Sequence, residues 1–443
     1  MAGTPAASPT AATVPADKAG WAAPVAHGPV VGKIAVPGSK SATARALVLA
    51  ALAEAPGAIR GGLTARDTTL MIAALRALGA TIDDDDPLHW KVAPIDQPVG
   101  GSAIDCGLAG TVARFVPPIA ALAEGSTLFD GDPAARRRPV GPLLRGLEQL
   151  GSHVTPMATE FLPFSVTGKL TGGRAVIDAG ASSQFVSGLL LTAPRFPAGL
   201  DLAHKGSAVP SRPHITMTID ALAARGVSVE ESDGGTRWQV APGSIGALDE
   251  VIEPDLTTAA VFLAAALVAG GEVTVPGWPA ASAQPGLLVP DLLDRFGATS
   301  ARGPAGLTTR GTGEVSGGGE IDLHEASELT CVVAALAALA EGPTRIRGVA
   351  HIRGHETDRL AALREEITAL GGRCEETDDG LAISPARLHG GVFRTWGDHR
   401  MAHAGALIGL RVPGIVLDDV AVTAKTMPLF PPAWSTLVAG GEG

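Results

Sequence analysis

Two series of segments recur along this 443-residue chain at nearly one spacing, which commits it to repeated copies of a single folded unit. The first series consists of almost uniformly apolar helical stretches with small or polar starts, over 41–53, 110–123, 183–193, 257–269, 328–340 and 400–410. Their starts lie 69, 73, 74, 71 and 72 residues apart. The second series consists of amphipathic stretches ending in glycine before a strand-like segment, at Gly79, Gly151, Gly226, Gly297 and Gly371, with Gly440 a candidate sixth. These glycines are 72, 75, 71 and 74 residues apart. A period near 72 exceeds the roughly 20–50 residues of solenoid repeats, so each unit is expected to be a small α/β fold with one buried and one amphipathic helix. Helices apolar all round belong inside a domain, and glycine ends the others as a left-handed cap. Stretches rich in β-branched residues at 32–36, 174–177 and 271–275 supply strands. Six such units should form two similar domains.

Composition narrows the function. A 46% hydrophobic, 18% charged chain of net charge −11 is globular and has no basic face for nucleic acid; its one basic run is 136–138. The longest apolar runs, 259–269 and 331–340, are too short to span a bilayer. Cys106, Cys331 and Cys374 are widely spaced, make no metal pattern and suit a reducing cytoplasm. Residues 1–26, rich in Ala, Pro and Thr without a basic n-region, read as a disordered leader and not a secretory signal. Asp83 to Asp86 reads as a solvated turn, and Trp238 and Trp396 as packing residues.

The chemistry sits at the starts of the buried helices. Residues 36–52 read V-P-G-S-K-S-A-T-A-R followed by apolar helix formers, with Ser39 and Ser41 as capping types and Lys40 and Arg45 as cations at a helix N-terminus. Free N–H groups and the helix dipole favour an anion there. The other starts carry Gly110, Thr111 and Arg114; Ser182, Ser183 and Gln184; Asp255 and Thr257; Glu328; and Asp398, His399 and Arg400. If the three buried helices of each domain run parallel, these residues converge on a site between the domains. Capping explains the hydroxyls but not the arginines, which the dipole repels unless an anion binds.

The same residues carry a resemblance. P-G-S-K-S with Arg45, L-A-G-T-V-A-R from Leu108, D-G-D-P-A-A-R-R-R-P from Asp130, S-S-Q at 182–184, H-E-T-D-R-L at 355–360, D-H-R-M-A at 398–402 and A-K-T-M-P at 424–428 occur in order over 29–437. Together they resemble the 5-enolpyruvylshikimate-3-phosphate synthases, of the actinobacterial type. The resemblance implies two domains of three βαβαββ units each, an inside-out α/β barrel with a cleft between. It implies chain crossings near Gly38 and Glu253, hence domains of 38–252 and of 27–37 plus 253–443. It also implies transfer of the enolpyruvyl group of phosphoenolpyruvate to the 5-hydroxyl of shikimate 3-phosphate with release of phosphate, as a monomer, with no cofactor and no metal, and with glyphosate as a competitor.

By that resemblance Lys40 and Glu356 handle the proton at the enolpyruvyl carbon and Glu328 the one on the hydroxyl. Phosphoenolpyruvate is expected at Lys40, Gly110, Arg138, Gln184, Arg359, Arg400 and Lys425. Shikimate 3-phosphate is expected at Lys40, Ser41, Arg45, Ser182, Ser183, Gln184, Ser211, Arg212, Glu328 and His355, while Thr111 is expected to cap its helix. The chain departs from many members at Leu108, His214, Glu328 and His355, where Asn, Tyr, Asp and Lys are common. His355 either titrates near neutrality, steepening the pH dependence of phosphoenolpyruvate affinity, or is a neutral hydrogen-bonding residue. Two other readings stand beside this one: the sister UDP-N-acetylglucosamine transferase, for which Cys106 would be a nucleophile, and a two-lobed anion-binding protein without turnover.

Overall fold

The computed structural model describes residues 20–440. Five four-stranded sheets share one plan, in which an outer strand lies parallel to the second and the remaining pairs are antiparallel. In one unit, Ala103–Asp105 pairs parallel with Ser126–Asp130, followed across the sheet by Phe164–Thr167 and His153–Thr155. A parallel pair needs a crossover, and the buried helix is that crossover. The amphipathic helix then leads into the antiparallel hairpin, giving the βαβαββ order.

Two sheets borrow their outer strand from far along the chain. Asp249–Val251 pairs with Gly57–Arg60, and Val30–Lys33 pairs with Gly271–Val275. The expected strand at 32–36 is thus shifted toward the N-terminus: the ladder covers Val30–Lys33, and beyond it the Ile34 N–H adds one bond to the Thr274 carbonyl at 2.9 Å. The sixth sheet has three strands: Gly391–Phe393 and Ile415–Leu417 lie parallel, and Trp21–Ala22 pairs antiparallel with the latter. This corrects part of the expected leader. Residues 20–26 are tied to the last unit by that ladder and by the Ala23 and Ala26 N–H groups, which donate to Ile415 and Leu410. Residues 1–19 lie outside the described residues.

The buried helices are Lys40–Ala51, Gly110–Phe115 with Pro117–Ala120, Gln184–Thr192, Leu256–Ala269, Thr330–Leu339 and His399–Gly409. The expected helix over 110–123 breaks because Pro117 and Pro118 cannot continue its hydrogen-bond ladder. The glycines of the second series, Gly440 included, all have positive φ, from +78° at Gly226 to +110° at Gly79. That left-handed conformation is why glycine recurs there.

Two hydrophobic cores form. One gathers residues between Ala44 and Ile252; the other gathers Ala23, Val30, Ile34 and residues from Leu256 to Leu437. The chain passes between them along two adjacent strands: Ser39 N–H donates to the Glu253 carbonyl at 2.8 Å and Asp255 N–H to the Pro37 carbonyl at 2.8 Å. A Cβ on Gly38 would lie 2.1 Å from the Gly61 carbonyl oxygen, so the crossing tolerates no side chain. No helix among the described residues is long and apolar enough to cross a membrane.

Candidate active site

The N-terminal ends of all six buried helices open onto one cleft between the two cores, about 820 Å³ in volume. Of the residues singled out in the sequence, Lys40, Ser41, Gly110, Arg138, Ser182, Ser183, Gln184, Ser211, Glu328, His355, Glu356, Arg359 and Arg400 line it. Ser39 caps the first helix through the Ala42 N–H, which leaves Ser41 to face the cleft. Thr111 is not a cap: Ala109 holds that position, and Thr111 is part of the cleft wall.

Three expected contacts lie elsewhere. Arg45 is 2% exposed and turns between helices, donating to Thr218 Oγ1, the Ser41 carbonyl, Ser187 Oγ and the His214 carbonyl. Arg212 turns away to Glu231 at 2.6 Å and the Gly235 carbonyl. Lys425 stands behind the wall, 2.8 Å from Glu356 Oε1 and 3.8 Å from Asp67 Oδ2.

Charge at the bottom of the cleft is tightly paired. Arg359 donates through Nε and Nη2 to both oxygens of Asp398, at 2.7 and 3.1 Å, and through Nη2 to Glu356 Oε2 at 2.9 Å. Burial opposes the Arg359 charge, but Asp398 and Glu356 more than offset it and hold the guanidinium protonated. Burial likewise opposes the Glu356 charge, while Lys425, Arg359 and Arg138 hold its carboxyl well below the usual range. Glu356 is an ionised carboxylate with both oxygens engaged. The ligand atoms of Glu356, Asp398 and His399 converge, but both carboxylates already answer to Arg359, which leaves little net negative charge for a metal cation.

Lys40 is the group tuned toward neutrality. Burial is the main force lowering its pKa; Asp67, 3.4 Å away, and Glu356 oppose this, and the cations Lys425 and Arg400 add to it. Arg400 donates to Thr257 Oγ1 at 2.6 Å and leaves Nη1 buried without a protein partner, and Arg138 leaves Nε likewise. Unsatisfied buried donors from two guanidinium groups make this end of the cleft an anion receptor.

His355 resolves into the neutral alternative. Arg359 Nη1 lies 3.1 Å from His355 Nδ1, and because a guanidinium only donates, Nδ1 accepts and the ring proton is on Nε2. Burial and the Arg359 charge push the imidazole well below its ordinary value. The sequence did not single out His351 and His324, which also line the cleft; His324 lies in a turn and His351 in the short 3₁₀ helix Ala350–Gly354, neither of which carries the α-helical periodicity. Cys106 is fully buried, and burial pushes its thiol up to about 12, which removes it as a nucleophile near neutrality. Trp238 is fully buried, but Trp396 is 40% exposed at a left-handed turn, stacked under Arg394.

The chain is similar to known proteins along nearly its whole length. Residues 25–434 match the sequence model of the EPSP synthase (3-phosphoshikimate 1-carboxyvinyltransferase) family. A 3-phosphoshikimate 1-carboxyvinyltransferase of Kocuria rhizophila is 52% identical over 439 residues, covering 96% of this chain and 97% of the relative. In fold, an EPSP synthase of Acinetobacter baumannii superposes with TM-score 0.74 at 22% identity over 95% of this chain and 97% of that one. The enolpyruvyl transferase NikO of Streptomyces tendae gives 0.70 at 20% identity, over 93% and 96%. With the six-fold repeat, the shared cleft and this identity in agreement, the chain belongs to the EPSP synthase (3-phosphoshikimate 1-carboxyvinyltransferase) family.

Proposed function

We propose that this chain transfers the enolpyruvyl group of phosphoenolpyruvate to the 5-hydroxyl of shikimate 3-phosphate by addition and elimination, with the residues of the cleft in the following roles. Lys40 delivers the proton to the methylene carbon during addition. Glu356, held ionised, takes a proton back from that carbon during elimination, and that proton returns to Lys40 before the next turnover. Glu328 removes the proton of the acceptor hydroxyl in the first step and returns one to the leaving phosphate's side in the second. The observation that carries this reading is the convergence of unsatisfied guanidinium donors and the Lys40 ammonium, whose pKa burial lowers, at one end of the cleft. Arg138, Arg359 and Arg400 meet the phosphoenolpyruvate charges, with Lys425 adding positive charge from behind the wall, and Ser41, Ser182, Ser183, Gln184 and Ser211 meet the phosphorylated acceptor. The lobes 38–252 and 27–37 with 253–443 close on the substrates about the paired crossing strands. The enzyme acts as a monomer in the cytoplasm, without cofactor or metal. Phosphate release assayed with each acceptor tests the reading: release with shikimate 3-phosphate but not with UDP-N-acetylglucosamine supports it, and the reverse overturns it.

Two consequences are specific to this cleft. A Cβ on Gly110 would lie 2.5 Å from Arg114 Nη1 and 3.1 Å from both terminal nitrogens of Arg138. Gly110→Ala therefore displaces the Arg114 guanidinium, which also holds Gln184, and presses on the Arg138 fork; we expect the KM for phosphoenolpyruvate to rise about 10- to 100-fold, as for a lost charged contact, with a smaller rise for the acceptor through Gln184. Steady-state kinetics with each substrate varied in turn checks this. Because His355 is neutral, the wild type and His355→Lys should show phosphoenolpyruvate KM profiles of the same shape between pH 6 and 9, on the order of the useful range for a lysine that stays charged. A limb near neutrality present in the wild type alone would contradict the tautomer.

A further inference from the structure

The contact that joins the two lobes beside Glu328 is built from unusual parts. Ser211 has φ +49°, a left-handed conformation rare outside glycine. That turn aims its N–H at the His324 carbonyl, 3.0 Å away, and its hydroxyl at Ser327 Oγ, also 3.0 Å away, both on the opposite lobe. The helix Pro213–Ala223 starts directly after it, with His214 in the first turn. The His214 main-chain carbonyl is fixed by Arg45, Thr218 and Ser187, which accounts for the buried Arg45. Its imidazole reaches across the lobes and donates from Nε2 to Glu328 Oε1 at 2.8 Å.

Glu328 itself occupies the short turn Ser327–Leu329 before a buried helix, and its second oxygen, Oε2, is buried with no protein partner. We propose that His214 is the positioning residue of Glu328: from the opposite lobe it engages Oε1, so that Oε2 is left as the oxygen that takes the acceptor hydroxyl's proton. The base is then complete only while the lobes meet at this edge. This inference rests on the reading of Glu328 as the base. The strained turn at Ser211 fits that role, because backbone strain persists where surrounding contacts over-determine a working geometry. Burial would raise the Glu328 carboxyl, but the His214 imidazole at hydrogen-bond distance holds it below the usual carboxylate range. The other titratable groups facing this pair are His351 and, 6.0 Å further from ring to ring, His324.

The test compares His214→Phe, which fills the space without a donor, with His214→Gln, whose amide can donate to Oε1, and runs Glu328→Gln beside them. His214→Asn, too short to reach, replaces the Phe variant if that protein unfolds. The expected result for the donor-free variant is a kcat lowered about 10- to 100-fold, the scale of a misplaced catalytic group, with the KM for phosphoenolpyruvate nearly unchanged. The acid limb of its kcat profile moves to higher pH, and His214→Gln restores most of kcat and part of the limb. An inactive Glu328→Gln beside a donor-free variant of wild-type kcat and unmoved limb overturns the role of His214 alone. Full turnover in Glu328→Gln overturns the base reading and this inference with it.

Discussion

Replacing Lys40 by Met lowers kcat by about 10²–10⁴-fold, the range that a positioned general acid supplies. Methionine keeps the length and most of the volume of the side chain, so the first buried helix should pack as before, with Ser39 still capping it. The size of the effect follows from the tuning of the ammonium. A proton donor works best when its pKa lies near the working pH, and the ordinary lysine value is too high for that. Burial lowers it, and Lys425 and Arg400 press in the same direction. Asp67 and Glu356 oppose them and keep enough positive charge at the site to meet the substrate phosphate. Met removes both functions, so kcat and the KM for phosphoenolpyruvate should suffer together, whereas Lys40→Arg should spare the KM more than kcat because a guanidinium does not release its proton. Turnover of the Met variant within tenfold of wild type, at an unchanged unfolding temperature, would sink the donor role.

The repeat was legible because each buried helix is apolar on all sides, a pattern that survives without knowledge of partners. Residues 256–269 illustrate this, being buried from Leu256 to Val268. The second helix broke at Pro117 and Pro118, a local signal present in the sequence and outweighed there by the period. Sheet completion was not legible. Trp21–Ala22, Val30–Lys33 and Asp249–Val251 pair with strands remote in sequence, and such short segments carry no mark of their partners. The helix starts stood out because cations there are locally unfavourable, but direction within the first turn did not. Arg45 lies one turn beyond Ser41; Ser41 faces the cleft while Arg45 is drawn between helices by Ser187 and Thr218, residues contributed by two other helices. Arg212 rested on the resemblance outside its quoted motifs, and its actual partner Glu231 lies on the strand Val229–Ser232, which nothing in the local sequence links to it.

Acid should destabilise the substrate-free protein earlier than its carboxylates alone allow. His399 and His403 are buried and His351 and His355 are half-buried in the cleft wall, and burial holds all four below the ordinary value of 6.5. No nitrogen of His399 or His403 has a hydrogen-bond partner, and the His403 ring packs 4.8 Å from that of Phe430 inside the second core. As pH falls through 6.5 the unfolded chain takes up a proton at each site while the folded protein does not, so stability falls with pH. Four such groups give a limiting slope of about 5 kcal/mol per pH unit. The carboxyls of Glu328 and Glu356 act in the same direction but only once pH drops below their unfolded value of 4.5, since their folded forms stay ionised below it. Between about 6.5 and 4.5 the slope therefore belongs mainly to the histidines, with Glu366, whose carboxyl burial raises, opposing them at the acid end. Denaturant unfolding across that interval measures it, and His403→Phe, which cannot protonate and keeps an aromatic ring beside Phe430, should lower it by about 1.4 kcal/mol per pH unit. A slope unchanged by that substitution would mean that His403 accepts its proton without unfolding, and the buried neutral imidazole would have to be abandoned.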